Sequence, residues 1–212
     1  MGCHGEPEKG IEDLTGNSQD RRMRPAVFID RDGTINEQRG YINHISRFVL
    51  LPGVGEAISL LNRHNQLVLI TSNQSGVARG YFPIDLVHET HEQMKRELEK
   101  DNAHVDGIYF CPHHPDGEVL EFKRACRCRK PDTGLIDAAK AEFDIDMGRS
   151  YVIGDRWLDI AFAHNAHLPG ILVLTGYGMG EWEYVDPPKG ITPAYVAENL
   201  LEAAHWLLTQ DT

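Results

Sequence analysis

The sequence predicts an α/β fold, a parallel sheet flanked by helices. Five short apolar runs recur along the chain, each broken off by an abrupt change of residue type. Runs of this kind suit strands buried on both faces. Segments with helical periodicity lie between them. Strands alternating with helices imply right-handed crossovers and a layered parallel sheet.

The elements follow in order. Residues 1–24 are polar, rich in Gly, Glu, Asp and Arg, and without periodicity, so they read as a disordered tail ahead of one domain at 25–209. Ala26-Val27-Phe28-Ile29 is the first strand, ending in Asp30. Val54, Ala57, Ile58 and Leu61 share one helical face. Leu67-Val68-Leu69-Ile70 is the second strand and runs into Thr71-Ser72-Asn73. Val87, Met94 and Leu98 mark the apolar side of a helix near 85–100. Gly107-Ile108-Tyr109-Phe110 is the third strand, ending at Cys111. Ile136, Ala139 and Phe143 mark a helix near 133–143. Tyr151-Val152-Ile153 and Ile171-Leu172-Val173-Leu174 are the fourth and fifth strands, ending in Gly154-Asp155 and Thr175-Gly176. A last helix is predicted from Tyr195 to Leu208, with Val196, Leu200, Ala203 and Leu207 in phase.

Composition narrows the function. Lys plus Arg is 21 against 32 for Asp plus Glu, a net charge of −11. An acidic domain is a poor partner for nucleic acid or an anionic membrane. No apolar run approaches the roughly 18 residues of a membrane span. The four cysteines are too few for a disulfide scaffold, and three of them cluster beside histidines, which points to metal in a reducing compartment. No secretory signal is visible. The chain reads as cytoplasmic, and as a monomer.

The polar residues that follow the strands carry the chemistry. In an open α/β sheet ligands bind at the carboxyl ends of the strands. Asp30-Arg31-Asp32-Gly33-Thr34 puts two carboxylates two residues apart. One can attack phosphorus, and the other can protonate the leaving oxygen and then activate water. Taken alone the pentapeptide also fits an Asp-Gly surface turn. Ser72-Asn73 offers a hydroxyl and an amide to phosphate oxygens, and Arg129-Lys130 offers two adjacent cations. Asp155 can complete an oxygen shell for Mg²⁺. Asp159, alone, would more often be a charge at a helix N-terminus.

Cys111-Pro112-His113-His114 and Cys126-Arg127-Cys128 form two close pairs separated by a loop. Three thiolates and one imidazole are a common closed structural zinc set. Cys111, His113, Cys126 and Cys128 are the expected ligands, with His113 favoured over His114 because Cys-x-His mirrors Cys-x-Cys. The alternative is three buried free cysteines with surface histidines.

Together Asp30-Arg31-Asp32-Gly33-Thr34, Ser72, Lys130 and Gly154-Asp155 with Asp159 resemble the haloacid dehalogenase superfamily of phosphatases. The zinc loop at 111–128, Gly40-Tyr41 and the Asn73–Gly80 segment narrow the resemblance to its branch of histidinol-phosphate and heptose-bisphosphate phosphatases. The resemblance implies a Rossmann-like haloacid dehalogenase fold with no inserted cap domain and a small zinc-stabilised loop. It implies Asp30 as nucleophile, Asp32 as general acid and base, and Ser72 and Lys130 holding the phosphoryl group. Catalytic Mg²⁺ would be bound by Asp30, Asp32 through its backbone carbonyl, and Asp155, and structural Zn²⁺ by the loop. Arg31, Gln38, Arg39, Gly40, Tyr41, Asn73, Gln74, Ser75, Arg129 and Arg156 would bind a small sugar phosphate. This chain has Ser72 where the family commonly has Thr, and Arg156 where it often has Lys.

The implied activity is removal of the C7 phosphate of a heptose 1,7-bisphosphate. The alternatives are a histidinol-phosphate phosphatase and a non-catalytic zinc-stabilised binding module. Without a cap, closure falls to the 35–50 flap, the zinc loop and the Tyr177–Pro188 segment. The Gly-rich run Thr175–Gly180 reads more readily as a linker than as a mobile loop.

Overall fold

Every residue of Ala26–Ile29 is buried, and this run forms the central strand of the sheet. The computed structural model describes residues 4–7 and 23–210. Its strands are β1 (His4–Pro7), β2 (Ala26–Ile29), β3 (Leu67–Asn73), β4 (Gly107–Cys111), β5 (Tyr151–Gly154), β6 (Gly170–Val173) and β7 (Tyr195–Ala197). Its helices are α1 (Val54–Arg63), α2 (Ile84–Glu99), α3 (Gly134–Glu142), α4 (Trp157–Asn165), α5 (Gly178–Tyr184) and α6 (Leu200–Gln210). The strand order is β1-β4-β3-β2-β5-β6-β7. β2 to β7 run parallel to their neighbours, and β1 is antiparallel to β4.

The two-residue period of a strand divides the core in two. Val27, Ile29, Val68, Ile70 and Ile153 face α1, α2 and α6. Ala26, Phe28, Leu67, Leu69 and Val152 face α3 and α4. With both faces covered, the strands have no polar side, and that is why they read as unbroken apolar runs. Between β2 and β3 lie only a short flap, one turn of 3-10 helix (Ile45–Arg47) and α1. Among the described residues no helix is long and apolar enough to cross a membrane.

Three expectations about elements change. His4–Pro7 falls inside the predicted tail, yet it adds an edge strand to β4. Edge pairing is made by backbone groups, which composition and periodicity do not register. The remaining tail residues, 1–3 and 8–22, lie outside the described residues, Cys3 with them. The last helix starts at Leu200, and Tyr195–Ala197 is strand β7. Asn199 separates the two, its side-chain oxygen accepting from Glu202 N at 3.0 Å. Val196 therefore owes its apolar character to the sheet, not to the helix. The Gly-rich run opens α5 instead of forming a linker.

The sheet winds outward from β2 in two directions, through β3 and β4 on one side and β5 and β6 on the other. The crevice at the carboxyl ends of β2 and β5 is the topological switch point, where such folds bind ligands.

Candidate active site

Asp30 leaves the end of β2, and its N–H donates to Ile153 O at 2.8 Å. Its carboxylate meets Lys130, whose Nζ donates to Asp30 Oδ1 (2.6 Å), Asp159 Oδ1 (2.5 Å) and Thr71 O (2.9 Å). All three ammonium protons are thus engaged. Asp155, from the end of β5, lies within the same cluster, and one oxygen each of Asp30, Asp155 and Asp159 falls within 4.8 Å of the others. All four side chains are buried.

Three carboxylates crowd together here around one ammonium that reaches two of them, Asp30 and Asp159, with little exposure to water. Burial raises Asp30 to about 7, with Asp159 and Asp32 adding to the rise and Lys130 opposing it. Burial likewise raises Asp155 to about 8, and the charges of Asp30 and Asp159 add to it. Burial works against the charge of Lys130, but Asp159 and Asp30 more than offset it and hold the lysine protonated. Asp155 Oδ2 accepts from Tyr177 N at 2.8 Å, while its Oδ1 is buried without a partner. Excess buried negative charge and an unpartnered carboxylate oxygen fit a hard divalent cation such as Mg²⁺.

Asp32 has a different setting. Its carboxylate accepts from Arg31 Nη2 (2.8 and 3.0 Å), Asn36 Nδ2 (3.1 Å) and Gln74 Nε2 (2.7 Å). Its backbone carbonyl accepts from Gln38 Nε2 at 3.1 Å. Two glycines permit the close packing around Asp155 next to it. A Cβ on Gly33 would stand 2.0 Å from Asp155 Oδ2, and one on Gly176 would stand 2.1 Å from the same atom. Both have positive φ.

A cleft of about 250 Å³ opens over these groups. Asp30, Asp32, Ser72 and Lys130 line it, as do Gln38, Gly40, Tyr41, Asn73, Ser75, Arg129 and Arg156. Three residues expected at the substrate do not line it. Arg31 is 2% exposed and lies behind Asp32, between that carboxylate and His91 Nε2 (3.3 Å). Gln74 is buried and bridges Asp32 to Ser72 Oγ (2.8 Å). Arg39 is exposed and turns to the Glu37 carboxylate. Leu158, Asp159 and Tyr177 also line the cleft. Asp159 was visible as a carboxylate four residues past Asp155. Leu158 carried no signal, and Tyr177 was expected only as the start of a closing segment; folding brings the 175–177 turn against Gly33, where Thr175 Oγ1 donates to Gly33 O (2.7 Å). A larger hollow of about 710 Å³ beside α1 and α2 has mixed charges and no such convergence of groups.

Beyond the cleft, Cys111, His113, Cys126 and Cys128 come together. Their separations are 3.4 Å for Cys111–Cys126, 2.8 Å for Cys126–Cys128, 3.8 Å for Cys111 Sγ–His113 Nδ1 and 3.5 Å for Cys128 Sγ–His113 Nδ1. Tetrahedral zinc, with Zn–S about 2.3 Å and Zn–N about 2.0 Å, sets its ligand atoms about 3.5–3.8 Å apart. Three of these four separations are near that spacing, and thiolates around an ion would open the fourth. Burial and the adjoining Cys128 push the Cys126 thiol up, so a cation is what would hold it ionised. The donor set fits zinc. His114 turns away, with Nε2 3.0 Å from Arg79 Nη2.

Residues 127–203 match the family described as HAD-hydrolase-like. The D-glycero-D-manno-heptose-1,7-bisphosphate 7-phosphatase of Thermosynechococcus vestitus is 40% identical over 194 residues, covering 88% of this chain and 96% of that protein. The D-glycero-beta-D-manno-heptose-1,7-bisphosphate 7-phosphatase of Yersinia pestis is 42% identical over 182 residues, 81% of this chain and 97% of its own length. The crystal structure of D,D-heptose 1,7-bisphosphate phosphatase from B. bronchiseptica, complexed with magnesium and phosphate, aligns with a TM-score of 0.77 at 31% identity, over 88% of this chain and 99% of that one.

Proposed function

The chain belongs to the D-glycero-D-manno-heptose-1,7-bisphosphate 7-phosphatase family of haloacid dehalogenase-like hydrolases, and from that premise we propose that it removes the C7 phosphate of this sugar bisphosphate. The observation that carries the reading is the cluster of Asp30, Asp155, Asp159 and Lys130 at the switch point of the sheet. Mg²⁺ would be held by Asp30, Asp155 and the Asp32 carbonyl, and when bound it supplies charge neutralisation for the phosphoryl group.

Asp30 attacks phosphorus in line, and an aspartyl phosphate forms as the sugar oxygen leaves. Lys130 opposes the rise caused by burial, favouring the ionised form of Asp30, and stays beside the oxygens of the group in transfer. Asp32 gives its proton to the leaving oxygen. It then takes a proton from the water that hydrolyses the aspartyl phosphate. Arg31 and Gln74 hold the Asp32 carboxylate where it can do both. Ser72 and Ser75 offer hydroxyls to the phosphate, and Arg129 and Arg156 offer cations to the distal phosphate. Zinc would be structural, because four protein ligands leave no open position.

The test is a phosphate-release panel with and without Mg²⁺, comparing heptose 1,7-bisphosphate, sugar monophosphates and histidinol phosphate. The bisphosphate should be turned over best, and only with Mg²⁺. Faster release from histidinol phosphate would overturn the substrate. No release from any ester would leave a binding module.

A further inference from the structure

Asp155, Arg156 and Trp157 are consecutive, and one short segment holds all three. Tyr177 N donates to Asp155 Oδ2 (2.8 Å). Glu181 Oε1 accepts from Arg156 Nε (3.2 Å), and Glu181 Oε2 accepts from Trp157 N (3.0 Å). The Trp157 indole N–H donates to Glu181 O (2.9 Å) and Val185 O (3.1 Å), and Trp182 packs at 6.0 Å from the Trp157 ring. The Arg156 guanidinium lies over the Tyr177 ring at 5.3 Å.

Arg156 is therefore fixed along one edge and one face. Its Nη groups have no hydrogen-bond partner among the described residues, and the side chain lines the cleft beside Tyr177 and Leu158. A guanidinium held this way meets an anion with its rotamer freedom already lost, so binding costs less. The Glu181 side chain is 13% exposed and the Arg156 side chain 48%, so Glu181 is the fixed half of the pair while water reaches the guanidinium from the cleft side.

We propose that Glu181 is a positioning residue for substrate selection. It holds Arg156 against Tyr177 with the Nη edge presented to the second, non-reacting phosphate of a bisphosphate substrate. The proposal rests on the reading that the substrate carries that phosphate. Glu181 itself takes no part in phosphoryl transfer. Its effect should appear in binding of the distal group and pass entirely through Arg156.

A double-mutant cycle over Glu181→Gln and Arg156→Ala tests this, with kcat and KM measured for heptose 1,7-bisphosphate and heptose 7-phosphate. Glutamine keeps the volume but accepts only one of the two donors. Glu181→Gln should raise KM for the bisphosphate about 2- to 12-fold, the range for freeing one rotamer-rich side chain. The bisphosphate-to-monophosphate ratio of kcat/KM should fall by the same factor. In the Arg156→Ala background Glu181→Gln should change that ratio no further. Should the glutamine variant not fold, Glu181→Asp keeps the charge, shortens its reach and should shift the ratio the same way. An unchanged ratio overturns the proposal, as does an equal loss in both backgrounds or a loss confined to kcat. A wild-type enzyme with no preference for the bisphosphate removes the substrate reading, and this proposal with it, before any substitution is made.

Discussion

The Asn73 side chain grips the backbone of Lys130 from both sides. Lys130 N donates to Asn73 Oδ1 at 3.0 Å, and Asn73 Nδ2 donates to Lys130 O at 3.2 Å. The end of β3 thereby carries the residue that neutralises Asp30. Asn73→Ala should lower kcat more than it raises KM, by roughly 10- to 100-fold, because the ammonium loses its registration with Asp30. Steady-state kinetics on a small monophosphate checks this, and a change in KM alone would return Asn73 to substrate contact.

Asp30→Asn should fold and lose essentially all turnover, since an amide cannot form the acyl phosphate. Asp32→Asn should lose about 10²- to 10⁴-fold, the usual contribution of a positioned acid–base group. Trapping of labelled phosphate on wild-type protein in acid, absent from Asp30→Asn, checks the covalent step.

About one zinc should bind per chain, and its removal should lower the melting temperature and kcat together, because coordination energy is folding energy in such loops. The loop precedes Lys130 by two residues, which connects the two losses. Elemental analysis and melting of a Cys126→Ser and Cys128→Ser double mutant decide it. An unchanged melt would remove the site.

Magnesium binding should release protons. Asp30 and Asp155 rise from 3.8 to about 7 and about 8 in the folded chain. The folded state then holds protons that the unfolded state has released. The metal-free protein should therefore lose stability as pH rises from about 4 through about 8. The cation needs ionised carboxylates, so its stabilising effect should be larger at pH 8 than at pH 6, with about a tenfold affinity change per pH unit for each proton displaced. Calorimetry in buffers of different ionisation enthalpy measures the released protons.

His91 should set part of the acid limit of stability. Burial first, then Arg31, His88 and Lys95, push it well below 6.5. The unfolded chain takes up a proton below pH 6.5 that the folded chain refuses. The His91 contribution is complete above that pH and is lost as pH falls beneath it. His91→Gln should flatten the fall, and urea melts of both proteins at pH 5.5 and 7.5 measure the difference.

The sequence was most legible where one residue answers one local demand. Val27 and Phe28 are apolar because both sheet faces are covered, and Asp30 and Asp155 stand at strand ends. Cys111 and His113 announced their association by spacing. The exact places of Arg31, Gln74 and Tyr177 were illegible for a shared reason. Their places depend on contacts between distant segments, such as Gln74 with Asp32 and Tyr177 with Asp155. A charged or polar residue next to a motif looks the same whether it faces the cleft or stands behind Asp32. Asn199 was the exception, a capping residue with Glu202 three positions on that marks the true start of α6.

The two indoles on the segment that holds Arg156 make the cleft optically addressable. Trp157 is buried and Trp182 is 48% exposed, with their rings tilted by 34°. Chromophores this close couple, so the pair should give a near-ultraviolet dichroism band that depends on their mutual angle. An occupant pulling on Arg156 pulls on Glu181, and Trp157 hangs from Glu181 by two hydrogen bonds. The third tryptophan, Trp206, is stacked on Tyr195 in another cluster and supplies a steady background. A phosphate seated on Arg156, as proposed, should then be detectable in the unlabelled protein, without turnover.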